Sequence, residues 1–398
     1  MIRGVVALTR WSRRLRGRPA PLPADPTVAI VGFHETASGL GVSARGMAEA
    51  LRVRSSQSVS LSELSRTPRL PTSLCDVLTP RSPQACRTDL VFHVYNPDIF
   101  LAAVRRFGTG FLTSGLVNVA IPIWETQTLP PLWTEVLSLY DVIATHSRFS
   151  AEALERGTSR PVAVIPPCLP ERPARVRRSD GPIEFLTMFD QASCFDRKNP
   201  LGAVSAFRQA TAALPAGTAR LRIKCHAGTP ADVIDRLLAE AGGAAVETVA
   251  RTLDEAGMEA LWQECDCLLS LHRSEGYGLP VAEALSRGIP VIASRQGGVL
   301  DFADDSGCLL ISGTPAVPPH GRGQYAEWSG WLEPDTNSAA AAIVAVTSNY
   351  HAAVSRAEAG RRTLQAATSP ARFRAAFEAA VGANPMPGRI RRLSRQLP

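Results

Sequence analysis

Residues 265–302 read CDCLLSLHRSEGYGLPVAEALSRGIPVIASRQGGVLDF. An apolar, strand-like run, Cys267–Leu271, ends at His272 and gives way to Arg273-Ser274-Glu275-Gly276-Tyr277-Gly278-Leu279-Pro280. A short helical pattern, Val281–Arg287, follows and is stopped by Gly288, with Pro290 just beyond. Pro280 suits the start of a helix, where an N–H has no intrahelical bond to lose. Gly276 and Gly278 admit positive φ and close backbone approach. The pattern predicts a strand-to-helix turn whose free N–H groups and positive dipole end converge on one place, and such a place binds phosphate. Glu275 lies in the loop, and Glu283 lies in what reads as the first turn of the helix. A carboxylate beside a diphosphate would repel it. The two acids are therefore better read as acceptors for hydroxyls on either side of the phosphates, as in a nucleoside diphosphate sugar. The alternative is that Glu275 is solvated and Glu283 merely favours the helix N-terminus.

The rest of the chain repeats the same alternation. Candidate strands are Val28–Phe33, Leu90–Tyr95, Val117–Trp124, Val142–Thr145 and Val162–Ile165, then Ile183–Phe189, Leu221–Cys225, Cys267–Leu271, Pro290–Ala293 and Cys308–Ile311. Helical stretches such as Ser43–Arg52, Ala151–Arg156, Pro200–Ala213 and Thr229–Ala241 separate them. Near-continuous apolar strands separated by helices mean parallel sheets covered on both faces, and two sets mean two α/β domains. Residues 166–182 contain five prolines and the basic run Arg175–Arg178, and they read as the linker. The expected division is a basic N-terminal segment at 1–26, a first domain at 27–174 and a second at 175–365. A helix at 366–384 and a basic tail at 385–398 complete it. Residues 313–334, with Pro318-Pro319, Trp328 and Trp331, read as a long loop. Helix then runs from about Asn337 to Ala383, broken near Ser369-Pro370.

Composition sets bounds. The chain has 398 residues, 45% of them hydrophobic, enough for two domains with cores of their own and too many for a mainly disordered chain. No apolar run approaches the ~18 residues of a membrane-spanning helix. The formal charge is +7, but residues 1–20 carry six arginines and no acid, and residues 385–398 four more and no acid. Those ten exceed the net charge, so the intervening chain is slightly acidic and gives no sign of binding nucleic acid. The eight cysteines form no CxxC pair and no cluster with zinc-ligand spacing. Reduced thiols in a cytosolic protein are the expectation. The N-terminus lacks an apolar region fit for a secretory signal.

The stretch from Ser270 through Glu275-Gly276-Tyr277-Gly278-Leu279-Pro280, Glu283 and Gly288 to Ala293 closely resembles the donor-binding motif of family 4 glycosyltransferases. Three further stretches resemble the same group: Gly39-Leu40-Gly41, Asp196-Arg197-Lys198-Asn199-Pro200, and Gly297-Gly298 with Asp301-Phe302. The resemblance spans about residues 27–380. It implies the GT-B fold, an α/β architecture of two Rossmann-like domains with parallel sheets facing across a cleft. It also implies transfer of a sugar, a hexose such as mannose or glucose, from a nucleoside diphosphate sugar to an acceptor hydroxyl with retention. By the resemblance Glu275 meets the transferred sugar and Glu283 the ribose, while amides near Gly276, Tyr277, Gly278 and Leu279 meet sugar or phosphate. Lys198 matches the lysine that holds the diphosphate, and charge-assisted hydrogen bonds of this kind contribute ~1.5–3 kcal/mol each. Many relatives carry an arginine five residues before that lysine. Here the position is Ser193, so either Arg197 supplies the second cation or the site has one.

The first domain is expected to present the acceptor, with Gly39-Leu40-Gly41 as a loop before a helix starting near Ser43. Many relatives place a histidine after a middle strand of this domain, where this chain has Ile123-Trp124-Glu125-Thr126. The histidine's role is not transferred to Glu125. His93 and His146 read as packing or local hydrogen bonding, and His272 as either ligand contact or support. No DxD motif occurs in a suitable position, so no metal and no cofactor beyond the donor substrate is expected. The implied acceptor is a saccharide or lipid-linked glycan in cell-surface polysaccharide synthesis. The N-terminus suggests peripheral contact with an anionic membrane: Ile2, Val5, Val6, Trp11 and Leu15 can share a helical face beside Arg10, Arg13, Arg14 and Arg16. Rival readings are a sugar-nucleotide epimerase or hydrolase with a similar cleft, and a non-catalytic GT-B assembly protein.

Overall fold

The structure is a computed structural model, and it describes residues 2–15, 28–32, 39–51, 59–60, 90–107, 117–170, 172–175, 181–190, 193–317 and 330–382. Cys75, Cys86, Arg177, Arg178, Pro318-Pro319, Trp328 and the 385–398 tail lie outside these residues, as do the side chains of Ile2, Trp11, Arg13, Arg14 and Leu15. The chain divides into two units, Met1–Pro170 with Thr368–Pro398, and Glu171–Ala367.

In the first unit helix α1 (Ile2–Leu15) precedes β1 (Val28–Gly32), α2 (Gly39–Ala50), β2 (Val59–Ser60), β3 (Leu90–Val94), α3 (Phe100–Phe107) and β4 (Val117–Ala120). Helix α4 (Pro131–Leu137), β5 (Val142–Thr145), α5 (Arg148–Thr158) and β6 (Ala163–Val164) follow. The six strands pair in the order β2-β1-β3-β4-β5-β6, every pair parallel. All residues of β3, β4 and β5 are buried, as expected of strands covered on both faces. Two expectations change here. Gly39-Leu40-Gly41 is not a loop but the first turn of α2, with Gly41 buried. The helical cost of glycine, ~1 kcal/mol per residue, is outweighed by packing of α2 on the sheet. The N-terminal segment forms a helix, but Val5 and Val6, two residues of the expected lipid-facing stripe, are buried within the unit. Arg3 pairs with Glu135 at 2.9 Å and Arg10 Nε donates to Ser138 Oγ at 3.1 Å, fixing α1 against α4. Among the described residues no helix is long and apolar enough to cross a membrane.

The second unit runs β7 (Ile183–Met188), α6 (Phe195–Lys198), α7 (Pro200–Thr211), β8 (Ala219–Cys225), α8 (Ala231–Ala241), β9 (Val246–Ala250) and α9 (Glu255–Glu264). It continues with β10 (Cys267–Ser270), α10 (Leu279–Ser286), β11 (Val291–Ser294), β12 (Leu309–Ile311), β13 (Gly313–Ala316) and β14 (Trp331–Pro334), then α11 (Thr336–Ser348) and α12 (Tyr350–Thr368). The main sheet is parallel, in the order β12-β11-β10-β7-β8-β9. Strand β9 is absent from the sequence-based strands because it lies at the sheet edge, half-exposed, without a continuous apolar run. The expected 313–334 loop is instead framed by two antiparallel strands, β13 and β14, with Gly313 opposite Pro334 and Ala316 opposite Trp331. The final helical stretch breaks at Asn349 as well as at Ser369. The chain then re-enters the first unit with α13 (Pro370–Gly382), whose Phe373, Phe377 and Ala380 join Phe92, Val94, Val117 and Val119 in its core. Arg175 ties the linker to the second unit, donating to Asp266 Oδ1 at 2.7 Å and to the Gln263 carbonyl at 2.9 Å.

Candidate active site

The second sheet reverses direction between β7 and β10. From β7 the chain moves outward through β8 and β9, then returns to the other side of β7 with β10 and continues to β12. In open α/β sheets ligands bind outside the carboxyl ends of the strands at such a point. Two loops leave it here, one after β7 leading into α6 and α7, the other after β10 leading into α10. Asn199 joins them. Its left-handed backbone (φ 52°) turns the chain between α6 and α7, its side chain caps α7 by accepting from Gly202 N at 3.1 Å, and its amide donates to the Leu271 carbonyl at 3.0 Å.

This closure brings together the charged residues singled out in the sequence. Lys198 Nζ donates to Glu275 Oε1, and an amino group of Arg197 lies 3.2 Å from Glu275 Oε2. Arg197 also donates to the Ser274 carbonyl at 2.8 Å and to Ser193 Oγ at 2.7 Å. Ser193, at the position of the expected arginine, is thus a direct partner of Arg197. Burial alone would raise the Glu275 pKa. The Lys198 and Arg197 cations, with His272, more than offset it and hold the carboxyl down to about 2.

The turn into α10 is built as its glycines require. Gly278, at φ 89°, is the helix N-cap, and Pro280 stands in the first turn of α10. Gly297 and Gly298 lie against the opposite side of the loop: a Cβ on Gly298 would fall 2.1 Å from the Gly276 carbonyl oxygen, and Gly298 N donates to the Glu275 carbonyl at 2.9 Å. The Tyr277 side chain is buried, its ring 4.9 Å from that of Phe302. Glu283 is the fifth residue of α10, beyond the first turn where the sequence pattern places it, and is half-buried. His272 bonds Ser270 Oγ at 3.2 Å and the Gln296 carbonyl at 3.1 Å, which commits both ring nitrogens to support of the loop.

A family model described as "Family 4 Glycosyltransferase in conflict systems" matches residues 144–377. The chain belongs to this family. No curated protein matches the sequence. Among solved structures the chain resembles HepE of Anabaena in complex with UDP and glucose (12% identity, 90% of this chain and 100% of that one, TM-score 0.63). It also resembles sucrose-phosphate synthase of Thermosynechococcus elongatus (16%, 90% and 100%, 0.59) and TarM of S. aureus (11%, 72% and 54%, 0.55). The chain spans about half the length of TarM. At these identities the likeness shows the fold, which is GT-B.

A second set of contacts left no mark in the sequence pattern. Arg273 donates to the Asp196 carbonyl and forms a two-armed ion pair with Glu333 on β14, one arm at 3.0 Å. Gln296 reaches the Gly330 carbonyl at 2.9 Å. Arg273 was visible beside Ser274-Glu275, but Glu333 is 60 residues further on and carries no local mark. In the first unit Gly39 and Gly41 open α2. His93 bonds Tyr95 and Asn118, both at 3.1 Å, in a packed aromatic cluster. His146 bonds Ser43 Oγ and, at 2.7 Å, the Ile165 carbonyl. Glu125 is half-buried after β4. The described cysteines are free thiols, and burial pushes Cys308 up to about 12, too high for a thiolate nucleophile. Among the described residues no group of three potential metal ligands occurs.

Proposed function

We propose that this chain transfers a sugar from a nucleoside diphosphate sugar to an acceptor hydroxyl, with retention at the anomeric carbon. The observation that carries the reading is the meeting of Lys198, Arg197 and Glu275 at the switch point, beside the N-terminus of α10. Diphosphate oxygens take the place of Glu275 on Lys198 and accept from amides at the start of α10, stabilising charge as the nucleotide departs. Glu275 then accepts a sugar hydroxyl and Glu283 the ribose hydroxyls. The departing phosphate takes the acceptor proton on the same face, as the sequence resemblance implies. No metal is needed for that charge stabilisation.

A uridine nucleotide is the first choice, because HepE was solved with UDP and glucose. The sugar, a hexose such as glucose or mannose, and the acceptor, a saccharide or lipid-linked glycan of cell-surface polysaccharide, follow from the sequence resemblance. Calorimetric titration with UDP-glucose, GDP-mannose and ADP-glucose, followed by assay of the best binder with and without glycan acceptors, tests the reading. Binding that Lys198→Ala weakens, with turnover only when acceptor is present, is expected. Turnover without acceptor would point to an epimerase or hydrolase, and no binding by any donor to a non-catalytic protein.

A further inference from the structure

Arg197 and Lys198 are neighbours on a four-residue helix, yet their environments differ in kind. The Arg197 side chain is 1% exposed and that of Lys198 16%. The guanidinium of Arg197 is committed to the protein on several sides, through the Ser274 carbonyl, Ser193 Oγ and Glu275 Oε2, while its own carbonyl accepts from Arg273 N at 2.8 Å. For Arg197 to meet a diphosphate, a buried carbonyl and hydroxyl would have to lose their donor. Lys198 is a compact ammonium on a flexible stem, holds Glu275 Oε1, and retains some access to solvent.

We propose that the two cations divide their labour, and that Arg197 is a positioning residue which does not touch the donor. Arg197, anchored by Ser193, is the permanent counter-ion of Glu275, and Lys198 is the exchangeable one. When the diphosphate arrives, Lys198 passes from Glu275 Oε1 to phosphate oxygen. Glu275 stays ionised and in place because Arg197 still faces Oε2, so a buried carboxylate is never left without a cation. Oε1 is thereby freed to accept a sugar hydroxyl. Ser193 is then no gap in the site. It anchors the arginine that serves the carboxylate.

The inference rests on the reading of this site as one for a nucleoside diphosphate sugar, and a double-mutant cycle separates the two. Binding of UDP, GDP and ADP to the full chain is measured by calorimetry, and the tightest is carried through Arg197→Gln, Lys198→Ala and Glu275→Gln, alone and combined, with melting curves for each. Glu275→Gln removes the competitor for Lys198 and should tighten binding by about threefold or more. Arg197→Gln should weaken binding by about tenfold in the parent chain, because Glu275 then holds Lys198 alone, and by less than about threefold in the Glu275→Gln background. Lys198→Ala should weaken it by about tenfold or more in both backgrounds. An Arg197→Gln loss of equal size in both backgrounds would mark direct contact with the diphosphate, and no loss in either would leave Arg197 without a role; each outcome overturns the inference while the site reading stands. If no diphosphate binds the parent chain, or Lys198→Ala has no effect, the site reading falls and the inference with it. Should Arg197→Gln fail to fold, Ser193→Ala, which loosens Arg197 but keeps its charge, is put through the same cycle. A smaller loss that again vanishes with Glu275→Gln is expected, and an equal loss in both backgrounds, or none, refutes it.

Discussion

Lys198 illustrates how much one side chain depends on its setting. Glu275 is its ion-pair partner, so under the proposed function its effect on binding is partly cancelled and its full charge is felt as the diphosphate leaves. Lys198→Ala should therefore lower kcat more than it raises KM. The expected loss is roughly 10- to 150-fold, the equivalent of ~1.5–3 kcal/mol for one charge-assisted bond, read from steady-state kinetics on the true donor and acceptor. In the first unit, His146 has its Nδ1–H directed at the Ile165 carbonyl, so Nε2 accepts from the Ser43 hydroxyl. Burial lowers its pKa to about 4. The unfolded chain takes up this proton near pH 6.5 and the folded chain does not. Stability should thus be fully present above pH 6.5 and decline as pH falls towards 4, by roughly 3 kcal/mol for a shift of this size. Urea midpoints measured across this range should show the decline, and His146→Gln should flatten it. The identities of Lys198, Glu275 and Glu283 were legible as candidates in the sequence because loop, glycine and proline surround them. The role of Ser193 was not legible, because hydrogen bonding to a side chain four residues away depends on how a buried loop is folded.

At the scale of elements, the 275–278 loop is held by a second loop lying flat against it. Gly298 admits this approach, and Gly298→Ala would force its Cβ to within 2.1 Å of the Gly276 carbonyl oxygen, backbone that cannot swing aside. A cost of about 1–3 kcal/mol, as for overpacking, is expected in urea unfolding, together with weaker nucleotide binding as the 275–278 loop shifts. The same pair of glycines was visible in the sequence, but its partner was not. Helix α1 is the opposite case. Its amphipathic pattern was legible and suggests a membrane surface, but Val5 and Val6 are buried in the first unit, and Arg3 and Arg10 bond to Glu135 and Ser138. A chain beginning at Ala24 should therefore melt at lower temperature than the full chain while floating equally with anionic liposomes. Unequal flotation would restore the membrane reading.

At the scale of the whole molecule, the chain crosses between its two units twice, and α13 makes the second crossing matter. Phe377 packs 5.6 Å from Phe92 at the centre of the first sheet. Phe377→Ala should destabilise the first unit by about 3–5 kcal/mol, seen as a lower denaturant midpoint for the transition that reports it. The sequence alone established two parallel α/β sheets, most strand positions, and the strand-loop-helix turn at 270–288. These follow from hydrophobic period, from proline, and from glycine, whose effects act within a few residues. Packing settled what those signals leave open. It made helix of Gly39-Leu40-Gly41, because burial against a sheet outweighs local propensity. It paired Arg273 with Glu333 and Arg197 with Glu275, since an ion pair across many residues leaves no periodic trace in the chain. The site belongs to both kinds of information: short-range chemistry nominated its residues, and the order of strands in the second sheet brought the loops after β7 and β10 together.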